Sequence, residues 1–156
     1  MASEIERKFL VTGDGWKAQA DRGKALVQAY LASTDKASIR VRIVDDAEAV
    51  ITLKSAGSGT SRSEFEYSIP VADARELMKL RRGRVIEKSR YTVAAGRLKW
   101  EIDAFGGDLA GLVIAEIELA SADSAFDRPL WLGREITGDK RYYNDSLAAG
   151  ETPERA

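Results

Sequence analysis

The sequence of 156 residues contains no cysteine and no histidine. The chain therefore cannot form disulfides, thiolate nucleophiles or imidazole acid–base pairs, and it lacks the usual ligands of zinc. Any bound metal must be held by oxygen atoms. Hard oxygen ligands favour Mg²⁺, Mn²⁺ or Ca²⁺ over zinc and copper.

Long hydrophobic runs and an excess of one charge are also missing. No apolar stretch approaches the ~20 residues that span a bilayer, so we expect no membrane partner. Lysine and arginine together number 24 and aspartate and glutamate 25, so the net charge gives no indication of nucleic-acid binding. Glu4 and Glu6 stand where a secretory signal needs a basic segment, which predicts a cytoplasmic protein.

Alternation of polar and apolar residues with a period of two is the dominant pattern. Turns are predicted between the alternating segments at Asp45-Asp46, Gly57-Ser58-Gly59 and Ala95-Gly96. The alternation predicts eight strands, near residues 3–11, 24–33, 37–44, 48–55, 62–69, 84–94, 97–104 and 112–120.

Helices are predicted to be few and short. The clearest is near 72–81, and others are expected near 14–20, 121–127 and 139–148. The length fits one domain. We therefore expect an α+β fold that is mostly antiparallel sheet, closed into an eight-stranded β-barrel with a few short flanking helices and room for one small ligand. The three tryptophans, Trp16, Trp100 and Trp131, are interpreted as packing residues.

Charged residues of the same sign recur at positions i and i+2 along the predicted strands. A strand places Glu4, Glu6 and Lys8 on one face, while Ile5 and Phe9 point to the other. The same spacing relates further sets: Arg40 and Arg42; Thr52 and Lys54; Arg62, Glu64 and Glu66; Lys88 and Arg90; Glu101 and Asp103; Glu116 and Glu118.

Two explanations of this spacing stay open. Any antiparallel sheet with one wet face alternates polar and apolar residues, although such faces usually set opposite charges across strands. Alternatively, paired carboxylates suit a divalent cation, and paired arginines or lysines suit phosphate oxygens. On the second explanation, the charged face binds a metal-bound polyphosphate.

Several segments resemble one protein family, in order as well as in residue type. The N-terminal Glu4-Ile5-Glu6-Arg7-Lys8 matches the Glu-x-Glu-x-Lys signature of the CYTH superfamily, also called triphosphate tunnel metalloenzymes. The resemblance implies a triphosphate tunnel domain at 1–149 with Mg²⁺ or Mn²⁺ as the cofactor, and the sequence pattern predicts a flexible tail at 150–156. The other matching segments are Gln28-Ala29-Tyr30-Leu31, Arg40-x-Arg42, Thr52-x-Lys54, Arg62-x-Glu64-x-Glu66, Lys88-x-Arg90, Glu101-x-Asp103, Gly111-Leu112, Glu116-x-Glu118 and Thr137-Gly138-Asp139-Lys140-Arg141-Tyr142.

The resemblance also implies roles for the matching residues. The implied metal ligands are Glu4, Glu6, Glu116 and Glu118, with Asp103 a further candidate. The implied phosphate ligands are Lys8, Arg40, Arg42, Lys54, Arg62, Lys88, Arg90 and Lys140. Besides Lys8, the implied catalytic residues are Glu64 and Glu66, which would orient the basic residues, a second metal or the attacking water, and Tyr30, which corresponds to a proton acceptor in related bacterial proteins. Packing within a strand explains Tyr30 equally well, because an unperturbed phenol titrates near pH ~10.

Three functions remain open at this point. The resemblance favours a metal-dependent hydrolase acting on a small-molecule triphosphate, above all inorganic tripolyphosphate. A class IV-type adenylate cyclase, which converts ATP to cyclic AMP and pyrophosphate, would need an adenine pocket, and no sequence feature supplies one. A non-catalytic triphosphate sensor would be expected to have lost carboxylates, yet every acidic pair is present. The sequence leaves open whether the protein forms a homodimer.

Overall fold

The structure, a computed structural model, describes residues 5–56 and 63–156. Glu4, Arg62 and the predicted turn at 57–59 lie outside the described residues. Contacts group the described residues into two compact units. The first unit contains residues 5–24, Lys88–Asp139 and Pro153–Ala156, and the second contains Ala25–Glu87 and Lys140–Thr152 apart from the undescribed residues.

Nine strands and two α-helices make up the regular structure of the described residues, which confirms the α+β class and the antiparallel sheet. Eight of the strands lie within two residues of their predicted positions. The strands are β1 (Ile5–Val11), β2 (Lys24–Ser33), β3 (Ala37–Val44), β4 (Glu48–Ser55), β5 (Glu64–Ile69), β6 (Arg82–Ala95), β7 (Leu98–Phe105), β8 (Val113–Leu119) and β9 (Leu132–Glu135). The helices are α1 (Val71–Met78) and α2 (Asn144–Ala149), with short 3-10 helices at Gly15–Gln19, Gly107–Leu109 and Lys140–Tyr142.

The strand order differs from the expected closed ring of eight. Hydrogen bonds join the strands in the row β5-β4-β3-β2-β6-β7-β8-β1-β9, which has two ends. The ninth strand, which was not predicted, pairs with β1 at Phe9↔Glu135 and Val11↔Leu132. Among the described residues, β1 therefore pairs with β8 along one edge and with β9 at Phe9 and Val11 of the other.

The helix predicted near 121–127 is absent. Residues 121–123 form a turn instead, in which the Ser124 N–H donates to the Ser121 carbonyl at 3.1 Å. The Ser124 hydroxyl in turn accepts a hydrogen bond from the Ser121 N–H at 3.1 Å. Serine hydroxyls that bond to nearby backbone groups compete with helix formation, which explains why the prediction was wrong.

The apolar face of the second unit is covered by α1. β2, β3, β4 and β5 are consecutive antiparallel neighbours, and their alternation sends Ala29, Val41 and Ile43 to the same face. Ala74 and Met78, one helical turn apart on α1, pack against these residues. The opposite face of the four strands is left to the polar and charged residues.

In the first unit, aromatic residues cover the apolar face. Phe9 on β1 and Trp100 on β7 are both buried, with ring centroids 5.9 Å apart. Trp131 lies 5.5 Å from Trp100, and Trp16 from the 3-10 helix at Gly15–Gln19 belongs to the same cluster. The interpretation of the three tryptophans as packing residues is therefore confirmed.

Residues 150–156 contain no helix or strand. Pro153 is buried, and the Arg155 guanidinium donates to the carbonyl oxygens of Ala110 at 3.0 Å and Asp108 at 3.3 Å. These contacts attach the end of the chain to the first unit. None of the described helices has the length and apolar character needed to cross a bilayer.

Candidate functional site

Three carboxylates meet on the charged face of the first unit. Antiparallel pairing of β1 with β8 sets Glu6 opposite Glu118 and Lys8 opposite Glu116. One carboxylate oxygen from each of Glu6, Glu116 and Glu118 lies within 4.8 Å of the others. Like charges at this spacing repel one another, whereas a divalent cation between them would be held by oxygen ligands of the kind it prefers. The donor set therefore fits a hard metal ion.

Burial and charge both disfavour ionisation of Glu116. Removal of its carboxyl from water and the nearby charge of Glu6 raise the pKa of Glu116 to about 7, against its ordinary value of 4.5. The Lys8 ammonium opposes this shift from a distance of 3.9 Å to Glu116 Oε2. The cluster therefore concentrates more negative charge than the adjacent cation neutralises.

Asp103, by contrast, lies among cations. Its carboxylate accepts two hydrogen bonds from Arg90, at 2.8 and 2.9 Å, and Oδ2 lies 3.0 Å from the fully buried ammonium of Lys88. Burial alone would raise the pKa of Asp103, but the charges and hydrogen bonds of Lys88 and Arg90 lower it to about 2. The structure thus places Asp103 with the predicted phosphate ligands and not in the group of three carboxylates.

The back of β1 is fixed at the position of Lys8. The Lys8 N–H donates to Thr137 Oγ1 at 2.9 Å, and the Thr137 hydroxyl donates to Glu135 at 2.7 Å. Glu135 also accepts two hydrogen bonds from Arg7, at 2.8 and 2.7 Å. These bonds fix the position of β1 next to Glu6 and at Lys8.

Arginines line the charged face of the second unit. The register sets Gln28 opposite Arg42 and Arg40 opposite Thr52. Arg42 Nε donates to the buried Gln28 amide oxygen at 2.8 Å, and Gln28 donates through its nitrogen to Asn144 at 3.2 Å. This chain of bonds orients the Arg42 guanidinium from behind.

Arg40 is held less tightly than Arg42. Its Nη2 lies 3.5 Å from the hydroxyl of Thr52, and its buried Nε has no hydrogen-bond partner in the described part of the chain. A buried donor without an acceptor costs free energy.

Tyr30 lies beside Arg40, on the same face. Burial and the negative charge of Asp145 raise the pKa of the Tyr30 phenol, although the charge of Arg40 and its hydrogen bond act in the opposite direction. A phenol with a raised pKa stays protonated at neutral pH. The Tyr30 hydroxyl can therefore donate a hydrogen bond at neutral pH.

The remaining predicted residues of the second unit are more exposed. The register pairs Lys54 with Glu64 and Thr52 with Glu66, and the Thr52 hydroxyl donates to Glu66 at 3.4 Å. Both glutamates are exposed and Lys54 is half-buried. Lys140 is also exposed, in the 3-10 helix Lys140–Tyr142.

A cavity of about 670 Å³ opens beside the carboxylates of the first unit. Glu116 and Glu118 line it, and so do Arg97 and Lys99, which were not predicted as site residues. A signal for them was present in the sequence, because Arg97 and Lys99 repeat the like-charge spacing of i and i+2. Gln28 and Thr52 were also missed as site residues, although both occur in the segments that resemble the family.

Comparison with known proteins gives consistent results. A family model described as the CYTH domain matches residues 2–148. Two similar proteins both carry the name inorganic triphosphatase. The protein of Acetivibrio thermocellus is 45% identical over 148 residues, which is 94% of each chain. The protein of Nitrosomonas europaea is 42% identical over 153 residues, which is 94% of this chain and 97% of that one.

Solved structures show the same likeness. The crystal structure of an inorganic triphosphatase matches with a TM-score of 0.75 at 36% identity, over 100% of this chain and 99% of that one. A putative adenylyl cyclase from Hippeastrum, described as having a dominant triphosphatase activity, matches with a TM-score of 0.54 at 16% identity, over 76% and 80% of the two chains. The second likeness shows the fold alone.

Proposed function

Because this chain belongs to the CYTH domain family, we propose that it is a metal-dependent inorganic triphosphatase. In this reaction water attacks a terminal phosphorus, the bond from that phosphorus to the bridging oxygen breaks, and pyrophosphate leaves. The observation that carries the proposal is the meeting of Glu6, Glu116 and Glu118, with Lys8 beside them. Two relatives above 40% identity that share the name inorganic triphosphatase support it.

The three carboxylates of the first unit would hold the divalent cation, which we propose to be Mg²⁺ or Mn²⁺. When bound, such an ion neutralises phosphate charge and lowers the pKa of a coordinated water. Oxygen-only ligands in a chain without histidine or cysteine fit this choice. Glu4, which lies outside the described residues, stays a predicted ligand on the basis of the resemblance.

The cations would make the main remaining contribution to catalysis, because phosphoryl transfer depends on positioning and on charge stabilisation. In the first unit, Lys8 and Arg90 would bind phosphate oxygens, with Lys88 adding positive charge from its buried position. In the second unit, Arg40 and Arg42 would do the same, with Lys54 and Lys140 at more exposed positions. Neighbouring groups hold several of these cations in position, which supports these roles.

We assign Asp103 to positioning. Its carboxylate holds the Arg90 guanidinium in a bidentate pair and neutralises the buried Lys88, so both of its oxygens are engaged by cations. This use of Asp103 replaces the metal-ligand role that the resemblance had implied.

Two further roles are narrower. Tyr30 would donate a hydrogen bond to substrate, since its raised pKa disfavours the phenolate. Glu64 and Glu66 keep the predicted role of orienting the basic residues, a second metal or the attacking water, and Glu66 accepts a hydrogen bond from Thr52. The cytoplasmic location also stays a prediction from the sequence.

Phosphate release tests the proposed function. The protein is incubated with inorganic triphosphate, pyrophosphate, ATP or thiamine triphosphate, in Mg²⁺, in Mn²⁺ or in excess chelator, and cyclic AMP is measured in parallel. We expect phosphate and pyrophosphate from inorganic triphosphate, and no release in chelator. Cyclic AMP as the main product from ATP would show a cyclase instead, and tight binding without turnover would show a sensor.

A further inference from the structure

The cavity beside the carboxylate cluster has a second, positively charged wall. Arg97 follows Gly96, whose positive φ of 64° forms the turn between β6 and β7. Lys99 lies on β7 two residues before Glu101, so the two side chains share a face of the strand. Arg97 and Lys99 thus line the same cavity of about 670 Å³ as Glu116 and Glu118.

These two cations differ from Arg7, Lys88 and Arg90 of the first unit. Arg7 is paired with Glu135, and both Lys88 and Arg90 are paired with Asp103. Across residues 5–56 and 63–156, no hydrogen bond or ion pair engages the side chains of Arg97 or Lys99. Their charge is therefore available to an anion inside the cavity.

We propose that Arg97 and Lys99 form a subsite for the terminal phosphate that leaves within pyrophosphate. The proposal rests on the proposed function. The carboxylate wall, with its cation, would hold the attacked end of the triphosphate, and the cationic wall would hold the other end. A cavity of this volume lies within the usual range of small-molecule sites, roughly 300–1,000 Å³, and has room for a whole triphosphate.

The subsite would select inorganic triphosphate over nucleoside triphosphates. In inorganic triphosphate the uncleaved end is a terminal phosphate that carries up to two negative charges. In ATP attacked at its outer phosphate, the matching group is the α-phosphate, which is esterified to the nucleoside and carries one. Two cations bind the more highly charged group more strongly, and a guanidinium binds it through two hydrogen bonds.

The test compares the double variant Arg97→Ala/Lys99→Ala with the wild type. We expect kcat/KM for inorganic triphosphate to fall about tenfold or more, the factor for loss of a hydrogen bond to a charged group. The same variant should weaken inhibition by pyrophosphate by a similar factor, since pyrophosphate carries the recognised group. Activity on ATP, or competitive inhibition by ATP if it is not cleaved, should change less than about twofold.

A matched control removes two cations elsewhere. Arg22→Ala/Lys24→Ala changes the net charge by the same amount at exposed positions that do not line the cavity, and it should leave all three measurements within about twofold of wild type. Circular dichroism and Tm of both double variants show whether each is folded. The conservative variant Arg97→Lys should retain part of the activity that Arg97→Ala/Lys99→Ala loses.

The outcomes separate the two proposals. A wild type that does not cleave inorganic triphosphate contradicts the proposed function. An active wild type whose Arg97→Ala/Lys99→Ala variant behaves like the control overturns the subsite. Equal losses on inorganic triphosphate and ATP also overturn it, because the two cations would then contact phosphates that both substrates share.

Discussion

The two units of the protein arrange their cations in different ways. In the first unit, Lys88 and Arg90 are held by a carboxylate, that of Asp103. In the second unit, Arg42 donates to an amide oxygen, that of Gln28, and Arg40 donates to a hydroxyl, that of Thr52. A carboxylate partner fixes a cation but neutralises part of its charge, whereas a neutral acceptor orients a guanidinium and leaves its charge to the ligand.

This difference indicates what each unit contributes to stability and to substrate binding. The first unit contains the carboxylate cluster and cations of its own, so ion pairs keep its buried charges compatible with folding. The second unit needs less compensation because Arg40 and Arg42 are half-buried, whereas Lys88 of the first unit is buried. We therefore expect changes in the first unit to affect chemistry and stability, and changes in the second to affect substrate affinity.

The largest effect should follow removal of one carboxylate from the cluster. Glu6→Gln takes away a metal ligand and should lower kcat for inorganic triphosphate by about 100- to 1,000-fold, in line with loss of a major source of charge stabilisation. Steady-state kinetics at saturating Mg²⁺ measures this. Glu48→Gln, at an exposed position at the start of β4, serves as control and should stay within about twofold of wild type.

Removal of the carboxylate that compensates the buried cations should mainly affect folding. Asp103→Asn leaves the buried Lys88 ammonium without this neutralising partner, and we expect the free energy of unfolding to fall by about 3 kcal/mol. Urea denaturation at pH 7 measures it. The exposed Asp123→Asn is the matched control and should change by less than about 0.5 kcal/mol. Equal stability of the two variants would show that Asp103 is not needed to compensate Lys88.

A carboxylate placed beside Arg42 would remove the difference between the units in the acceptors of their arginines. Gln28→Glu gives Arg42 a charged partner of the type that Arg90 has, so part of the Arg42 charge is neutralised before substrate arrives. We expect KM for inorganic triphosphate to rise about tenfold with kcat changed less than about threefold. Gln19→Glu, at an exposed position of the first unit, adds the same charge and should leave KM unchanged. An unchanged KM in Gln28→Glu would mean that the neutrality of the acceptor is unimportant.

The smallest effect concerns the ion pair behind β1. Chiefly through the hydrogen bond from Arg7, the pKa of Glu135 is lowered to about 2 from its ordinary 4.5. Since the folded pKa is depressed, the stabilisation is present above pH 4.5 and is lost as the pH falls towards 2. For a partly exposed pair it amounts to about 0.5 kcal/mol. Urea denaturation should therefore show Glu135→Gln less stable than wild type by this amount at pH 6, with the difference shrinking between pH 4.5 and 2.

Much of the fold could be predicted from the sequence because period-2 alternation survives in strands with one apolar face. β9 was missed for a physical reason. It has only four residues, too few for the pattern to show, and one of them is Gly133, where a Cβ would lie 2.8 Å from the Leu10 carbonyl oxygen. Close approach of two backbones, rather than alternation, determines that strand.

The candidate site, like the fold, could be predicted only in part from the sequence. Spacing along one strand predicts that Glu116 and Glu118 share a face, and in the structure one oxygen of each lies within 4.8 Å of the other and of Glu6. It does not give the register between strands, which sets Asp103 opposite Arg90 and so makes it a partner of cations. Nor does it give burial, which raises the pKa of the Tyr30 phenol.

Metal binding by the carboxylate cluster is the central claim, and a calorimetric titration of Mn²⁺ into wild type and Glu118→Gln tests it most directly. We predict saturable binding to the wild type and at least tenfold weaker binding to Glu118→Gln, with the Glu48→Gln control unchanged. Binding to Glu118→Gln as tight as to wild type, in a folded protein, would contradict the account, because the ion would then be held elsewhere.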